Sequence, residues 1–191
     1  MQKKFNVLLS SIVIAFSASV TAQAADQTMM HADKADSVHA TKAATKSSAN
    51  AADKEMMNKL AQANMGEVAL AELAKTKSTD KEVLKFADTM IEDHGKAQNA
   101  LADVANKSDV ELPKKTDQKH ADLLKKMQTM DGAAFDKAYK SQAVKDHGDA
   151  QKLLKKIASN AKSADFKALA KELMPTIDQH MEMAKAMQSA K

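Results

Sequence analysis

Apolar residues recur with a helical period of about 3.6 from Asp53 to the end of the chain. The period predicts four long helices and one short one, over residues 53–76, 79–107, 115–129, 133–161 and 164–188. Thr79 and Glu82 have the spacing of a capping box at the start of the second helix. We also expect Pro175 to bend the last helix.

The composition agrees with a helical protein. The body of the chain is rich in Ala, Leu, Lys, Glu and Met, and the whole chain contains only two prolines and four glycines. Two long helical hairpins joined by a short crossing helix predict an all-α fold, a four-helix bundle with one crossover, over residues 53–188. In that topology the second and fourth helices run parallel.

Residues 1–24 have the pattern of a secretory signal peptide. Two lysines precede an apolar stretch over 7–20, and Ala22-Gln23-Ala24 supplies small residues for cleavage. We therefore predict an exported protein that is periplasmic, envelope-associated or secreted, the alternative being an uncleaved anchor. The apolar stretch is short for a membrane span, and no other segment is a candidate, so no transmembrane span is expected after cleavage.

Residues 25–52 are polar and small with no apolar period, and we interpret them as a disordered tail. The chain has no cysteine, which excludes disulfides and thiolate metal sites. All 29 basic residues are lysine, and the net charge of +4 falls to +2 when the two lysines of the signal are removed. The guanidinium group of arginine commonly makes paired hydrogen bonds to phosphates and bases. Because the chain has no arginine, nucleic-acid binding is not predicted.

Three histidines fall inside the apolar stripes of three different long helices. His94, His147 and His180 each lie near the middle of their helix, so a bundle would bring them to one level. Glu67, an acidic residue at an inward position of the first helix, lies about one turn above that level. Burying an imidazole costs free energy unless it is hydrogen-bonded or bound to a metal. The sequence therefore predicts either a buried polar layer or a metal site.

In the metal interpretation, Glu67 and the three histidines are the ligands of one ion. Three imidazoles and a carboxylate suit zinc, copper(II), nickel or iron(II). Four further residues could orient the histidine rings through hydrogen bonds without contacting the metal, and these are Asp93, Asp136, Tyr139 and Asp146. In the alternative interpretation, each imidazole is bonded to a neighbouring carboxylate, hydroxyl or carbonyl group and no metal is involved.

Several short motifs, taken in order, carry a family resemblance. They are Gly66-Glu67, Phe86-Ala87, Met90-Ile91-Glu92-Asp93-His94, Lys119-His120, Gly132-Ala133-Ala134-Phe135-Asp136-Lys137-Ala138-Tyr139, Val144-Lys145-Asp146-His147, and Pro175-Thr176 with His180. Over about residues 55–188 the chain resembles the bacterial domain of unknown function 4142 family, whose members are often labelled outer membrane proteins. The resemblance implies a ferritin-like fold and no particular activity.

The ligand pattern of di-iron bundles is absent. Those proteins carry Glu-x-x-His motifs, whereas the residues three before the histidines here are Ile91, Val144 and Ile177. We therefore do not expect di-iron oxygen chemistry, and the sequence predicts no catalytic residue or other cofactor site.

Three functional hypotheses follow. The first is a non-catalytic interaction or stress-protective module of the bacterial envelope, with an envelope protein or a surface as its partner. The second is a metal-binding or metal-buffering protein that uses the histidine layer. An enzyme with a single metal ion is the third, and no sequence motif favours it.

Overall fold

A computed structural model describes residues 49–189 of the chain. Within that range the chain is helical, with no strand, and its helices are α1 (Ala51–Lys77), α2 (Lys81–Lys107), α3 (Gln118–Gln128), α4 (Gly132–Asn160) and α5 (Ala164–Ser189). The largest difference from the predicted limits is at α3, which begins at 118 instead of 115. The predicted signal peptide, and the predicted tail up to residue 48, lie outside the described residues.

The predicted four-helix bundle with a crossover helix is confirmed. α1 packs against α2 and α4, α5 packs against α4 and α2, and α3 lies against α1. At one end of the bundle Lys77, the last residue of α1, pairs with Asp131 just before α4 at 2.9 Å. At the other end Asp53 near the start of α1 accepts hydrogen bonds from the backbone of Lys162 and Ser163, just after α4. Hence α4 is antiparallel to α1 and parallel to α2, as expected.

The predicted capping box at Thr79 and Glu82 is wrong. Asp80 is the cap of α2, and its carboxylate accepts hydrogen bonds from the backbone N–H of Glu82 at 2.9 Å and of Val83 at 3.4 Å. Aspartate caps helices at least as well as threonine, and this carboxylate also accepts a bond from Lys140 Nζ of α4 at 2.8 Å. The second partner ties the start of α2 to α4, which a cap at Thr79 would not do.

The core consists of two apolar clusters with a polar layer between them. The Phe166 cluster lies toward the start of α1 and includes Met57, Leu60, Leu101, Leu154, Ile157, Phe166 and Leu169. The Phe135 cluster lies toward the end of α1 and includes Leu70, Phe86, Met90, Met127, Phe135, Tyr139 and Met187. The α5 helix runs through Pro175 without interruption. Among residues 49–189, no helix is long and apolar enough to cross a membrane.

Candidate metal centre

His94, His147 and His180 meet in the polar layer between the two apolar clusters. Each ring offers one nitrogen, and these nitrogens lie within 4.8 Å of one another. The ring centroids are 5.6 Å apart for His94 and His147, 5.4 Å for His94 and His180, and 5.3 Å for His147 and His180. These nearly equal separations place the rings around a common centre, and none of the three histidines is more than 2% exposed.

Within the part of the chain that the structure describes, each ring makes a hydrogen bond through one of its two nitrogens. His147 Nδ1 donates to the carbonyl oxygen of Ala143 at 2.8 Å, and His180 Nε2 donates to Asp93 Oδ2 at 3.0 Å. His94 Nδ1 donates to Asn64 Oδ1 at 3.2 Å. The amide of Asn64 is oriented by its own Nδ2, which donates to Gln98 Oε1 at 3.3 Å. Because all three partners of the rings are acceptors, the proton of each neutral ring lies on the nitrogen that is bonded.

The second nitrogen of each ring is therefore an acceptor with a free lone pair. His94 Nε2, His147 Nε2 and His180 Nδ1 are all buried, and none has a hydrogen-bond partner among residues 49–189. A buried acceptor without a partner costs about 1–3 kcal/mol, and three of them meet in one layer. A fully bonded polar layer would pair both nitrogens of each ring, so this arrangement fits a cation better than it fits the polar-layer interpretation.

Glu67 adds a carboxylate to the same centre. Its Oε2 lies 3.3 Å from His94 Nε2 and 3.4 Å from His147 Nε2, and its side chain is only 7% exposed. Burial raises the pKa of Glu67 to about 7. A protonated carboxyl group has a single O–H and can satisfy at most one of the three free nitrogens. Neither protonation state of Glu67 therefore completes the hydrogen bonding of the layer.

The distances between these ligand atoms can be compared with those in a known type of metal site. A tetrahedral zinc site with bonds of about 2.0–2.1 Å places its ligand atoms ~3.3 Å apart. Glu67 Oε2 already lies at this distance from two of the imidazole nitrogens. The histidine nitrogens lie within 4.8 Å of one another and would have to approach by up to ~1.5 Å to reach this separation. Burial lowers the pKa of all three histidines, that of His94 to about 4. The rings are thus neutral at pH 7, as metal ligation requires.

The four residues predicted to support the rings behave differently from one another. Asp93 contacts His180, as described above. Asp146 instead faces α3, 3.7 Å from His120 Nε2 and 3.6 Å from Lys119 Nζ, and accepts a bond from Gln142 at 2.7 Å. Tyr139 packs against Phe86 and Phe135, and Asp136 has a buried carboxylate oxygen with no hydrogen-bond partner. In the described part of the chain, Asp136, Tyr139 and Asp146 make no hydrogen bond to the three histidines.

Two of the groups that orient the rings were not predicted. The carbonyl oxygen of Ala143 belongs to the backbone and carries no sequence signal. Asn64 precedes Glu67 by three residues and so lies on the same face of α1. A buried amide in an otherwise apolar stripe is the signal that could have identified it.

His120 of α3 closes the layer from outside the bundle. Its ring lies directly on Gly66 of α1, and its Nδ1 is 2.9 Å from Asp117 Oδ2. The carboxylates of Asp146 and Asp117 hold the pKa of His120 above its usual value. Burial would raise the pKa of Asp146, but His120, Gln142 and Lys119 outweigh it and lower that pKa. Both ring nitrogens of His120 thus face carboxylates: Nδ1 is hydrogen-bonded to Asp117, whereas Nε2 lies 3.7 Å from Asp146 Oδ1 and has no hydrogen-bond partner among residues 49–189.

Comparisons with known proteins identify a family and a fold. The family model described as "Domain of unknown function (DUF4142)" matches residues 37–187. The crystal structure of a DUF305 fragment from Deinococcus radiodurans is similar, with a TM-score of 0.65 and 11% sequence identity over 74% of this chain and 97% of that chain. At this identity the likeness shows a shared fold and nothing more. No curated protein matches the chain by sequence.

Proposed function

Because the chain belongs to the DUF4142 family, a family of unknown function, we propose a function from the site itself: this protein binds one divalent metal ion through Glu67, His94, His147 and His180. The observation that supports the proposal is a set of three imidazole rings around one centre, each with a buried nitrogen that has no hydrogen-bond partner among residues 49–189. The bonds on the opposite nitrogens fix each ring in the tautomer that ligation needs, as such outer bonds do in known metal sites.

Zinc fits this donor set best among the ions that imidazole and carboxylate ligands suit. The rings are spaced almost equally around the centre, which favours a tetrahedral site over the square-planar arrangement that copper(II) prefers. The missing Glu-x-x-His motifs argue against a di-iron site, since Glu67 is the one carboxylate of residues 49–189 that lies at the centre. The ion is enclosed between two apolar clusters, which suits a protein that holds or buffers a metal.

The first test is the metal content of the purified protein. We expect the mature chain, produced without a histidine tag, to hold close to one equivalent of metal by elemental mass spectrometry. A variant with His94→Ala, His147→Ala and His180→Ala should hold none. The control is His31→Ala with His39→Ala, which removes histidines outside the proposed site and should leave the metal in place. If wild type remains metal-free after reconstitution with zinc, copper and iron, the proposal is wrong.

We also propose that the protein is exported and acts in the bacterial envelope. The support is the sequence pattern of residues 1–24, in which a lysine pair, an apolar stretch and Ala22-Gln23-Ala24 follow in order. Intact-mass measurement of the protein from its native host should give a chain that begins at Ala25. A chain that retains residues 1–24 would contradict cleavage, and its recovery from the membrane fraction would identify an uncleaved anchor.

The hypothesis of an interaction or stress-protective module stays a prediction. It concerns the outer surface of the bundle, and a buried metal centre is compatible with it. The free nitrogens in the core favour metal binding as the property to test first, because a purely structural bundle gains nothing from leaving them without partners.

A further inference from the structure

A cavity of about 260 Å³ adjoins the histidine layer on the side of the Phe166 cluster. It exists because small side chains, such as Ala97 and Ala100 of α2, stand where larger ones would fill the space between the helices. His94 and His180 also line it, and each has a buried nitrogen with no hydrogen-bond partner among residues 49–189. An ion in the cavity therefore has direct access to two of the proposed ligands.

The cavity opens to the surface between α2 and α5. Asp93 of α2 accepts the hydrogen bond of His180 of α5 across this gap, and its side chain is 30% exposed. Thr176 lies one helical turn before His180, and Glu172 lies one turn before Thr176, so both are on the same side of α5. Both line the cavity, Thr176 half-buried and Glu172 exposed. The cavity therefore meets solvent beside Asp93.

The other approaches to the centre are less open to a cation. On the α1 and α4 side the ring of His120 packs on α1, and Lys119 Nζ lies 3.6 Å from Asp146 Oδ1. A groove between α1 and α2 also reaches His94. There Asn64 stands beside the ring and is bonded to His94 Nδ1, the nitrogen that already has a partner. An ion from either side would meet a lysine or an occupied nitrogen.

The lining of the cavity carries more negative than positive charge. Among residues 49–189, five carboxylates and two lysines line it, namely Glu67, Asp93, Asp146, Asp149 and Glu172 against Lys96 and Lys119. Even when Glu67 is protonated and His120 is charged, the negative charges outnumber the positive ones. Lys96, one turn after Asp93, is itself paired with Glu92. A cleft with such a lining attracts cations.

We propose that divalent metal ions enter and leave the histidine centre through the opening between α2 and α5, and that Asp93 is the first side chain to bind them. The inference rests on the metal binding proposed above. Asp93 Oδ2 holds His180, whereas Oδ1 lies 3.6 Å from Lys96 Nζ, which is too long for a direct hydrogen bond. This oxygen can therefore accept a cation. The opening then sets the rate of metal exchange, and the four ligands set the affinity.

The volume of the cavity is compatible with this route. At about 30 Å³ for each water molecule, the cavity has room for several waters beside an ion. An arriving ion can thus exchange its hydration shell for protein ligands one at a time. A buried centre without such a space would exchange its metal only when the helices separate.

The test follows the uptake of cobalt(II), whose visible absorption reports its coordination, by metal-free protein in a stopped-flow instrument. Release is measured with EDTA at concentrations where the rate no longer depends on the chelator. We expect Thr176→Leu, which narrows the opening, to slow uptake and release at least tenfold each and to leave the affinity unchanged. Thr176→Ala is the matched control and should slow neither rate. Ala100→Leu, inside the cavity, should reproduce the slowing and serves as the second blocking variant.

The charge at the opening supplies an independent measurement. Glu172→Gln should slow uptake about threefold at low ionic strength, and salt should remove this difference. Asp178→Asn changes the net charge equally and is the control. Asp178 lies on another side of α5, where it accepts a hydrogen bond from Gln151 of α4, so this variant should keep the uptake rate of wild type.

The groove between α1 and α2 is the competing route. Gly95 lines that groove and not the cavity, so Gly95→Leu should leave uptake unchanged. Slow uptake by Gly95→Leu, with wild-type rates in Thr176→Leu and Ala100→Leu, would overturn the inference and assign the route to the groove. Wild-type rates in all three variants would also overturn it, because exchange would then require separation of the helices. A wild type that takes up neither cobalt(II) nor zinc would instead refute the proposed function.

Discussion

Replacing Glu67 by glutamine is expected to stabilise the metal-free protein and to remove most of its affinity for metal. Burial raises the pKa of Glu67 from an ordinary 4.5 to about 7, so the folded state opposes ionisation of this carboxyl group at neutral pH. A difference of this size corresponds to about 3 kcal/mol. Glutamine keeps the shape without the charge, and we expect it to raise the free energy of unfolding by roughly 1–3 kcal/mol at pH 7.5 in EDTA.

The pKa shift also fixes how this gain depends on pH. A carboxyl group whose pKa is higher in the folded state stabilises the fold fully below its unfolded pKa, and the contribution is lost as the pH rises through the folded pKa. The advantage of Glu67→Gln should therefore shrink toward pH 4.5 and be largest above pH 7. The lowered pKa of His94, like those of the other two rings, destabilises the fold as pH falls below 6.5. For His94 and His180 that contribution is common to variant and wild type and cancels. His147 differs, because the charge of Glu67 raises its pKa in the wild type and is missing in the variant.

Zinc should reverse the order of stability. The ion favours the charged form of Glu67, which is the costly form in its absence, whereas glutamine is a neutral and weaker ligand. We expect the affinity of Glu67→Gln for zinc to fall at least tenfold and the zinc-loaded wild type to be the more stable protein. Urea unfolding at pH 5, 6 and 7.5, with EDTA or with zinc, measures both effects, and competition with a chelator gives the affinity.

A matched control lies on the same helix. Glu72 is exposed on α1, so Glu72→Gln should leave both the free energy of unfolding and the affinity for zinc unchanged. A Glu67→Gln protein that is less stable than wild type in EDTA at pH 7.5 would contradict the prediction. That result would show that the charged carboxylate has a favourable role in the fold without any metal.

The level at which the histidines meet was predictable because helix geometry determines it. A rise of 1.5 Å per residue converts the distance of His94 and His147 from their helix starts into a height in the bundle. The crossover then makes α2 and α4 parallel, so equal distances become equal heights. An error of up to three residues at a helix end shifts the predicted height of a histidine by less than one helical turn. The predicted level of the three histidines therefore did not depend on exact helix limits.

The surroundings of the rings were less predictable because they depend on how each helix is rotated and on where α3 lies. Asp146 precedes His147 by one residue and therefore points about 100° away from it, toward Lys119 and His120 of α3. Asp93 is the corresponding neighbour of His94, yet it supports His180, a ring on a different helix. Sequence spacing describes one helix at a time, whereas these contacts join separate helices.

Replacing Gly66 by alanine is expected to destabilise the protein, although alanine normally favours a helix. A Cβ atom at position 66 would lie 2.5 Å from Cγ, 2.6 Å from Cδ2 and 2.9 Å from Cβ of His120. The last of these atoms is attached to the backbone of α3, so rotation of the ring alone does not relieve the overlap. α3 would have to move away from α1, and we expect a loss of about 1–3 kcal/mol in the free energy of unfolding.

Gly95 provides the matched control for this substitution. It also lies inside a long helix, and a Cβ atom there would meet no atom of the described residues within 4 Å. Gly95→Ala should therefore stabilise the protein by about 0.5–1 kcal/mol, so that the two alanine variants shift in opposite directions in the same urea titration. Equal stabilisation by both substitutions would contradict the close packing of His120 against Gly66 of α1.

The position of His120 can also be followed directly by NMR titration of its ring. In wild type the carboxylates of Asp146 and Asp117 hold the pKa of His120 above its ordinary value of 6.5. If Gly66→Ala pushes the ring off α1, the contact with Asp146 across the layer is lost, and the pKa should fall toward 6.5. Asp117 caps the same helix and would move with the ring, so its share of the shift should remain. If the variant loses stability while the pKa of His120 stays as in wild type, α3 has not moved and the overlap has been relieved by distortion of α1.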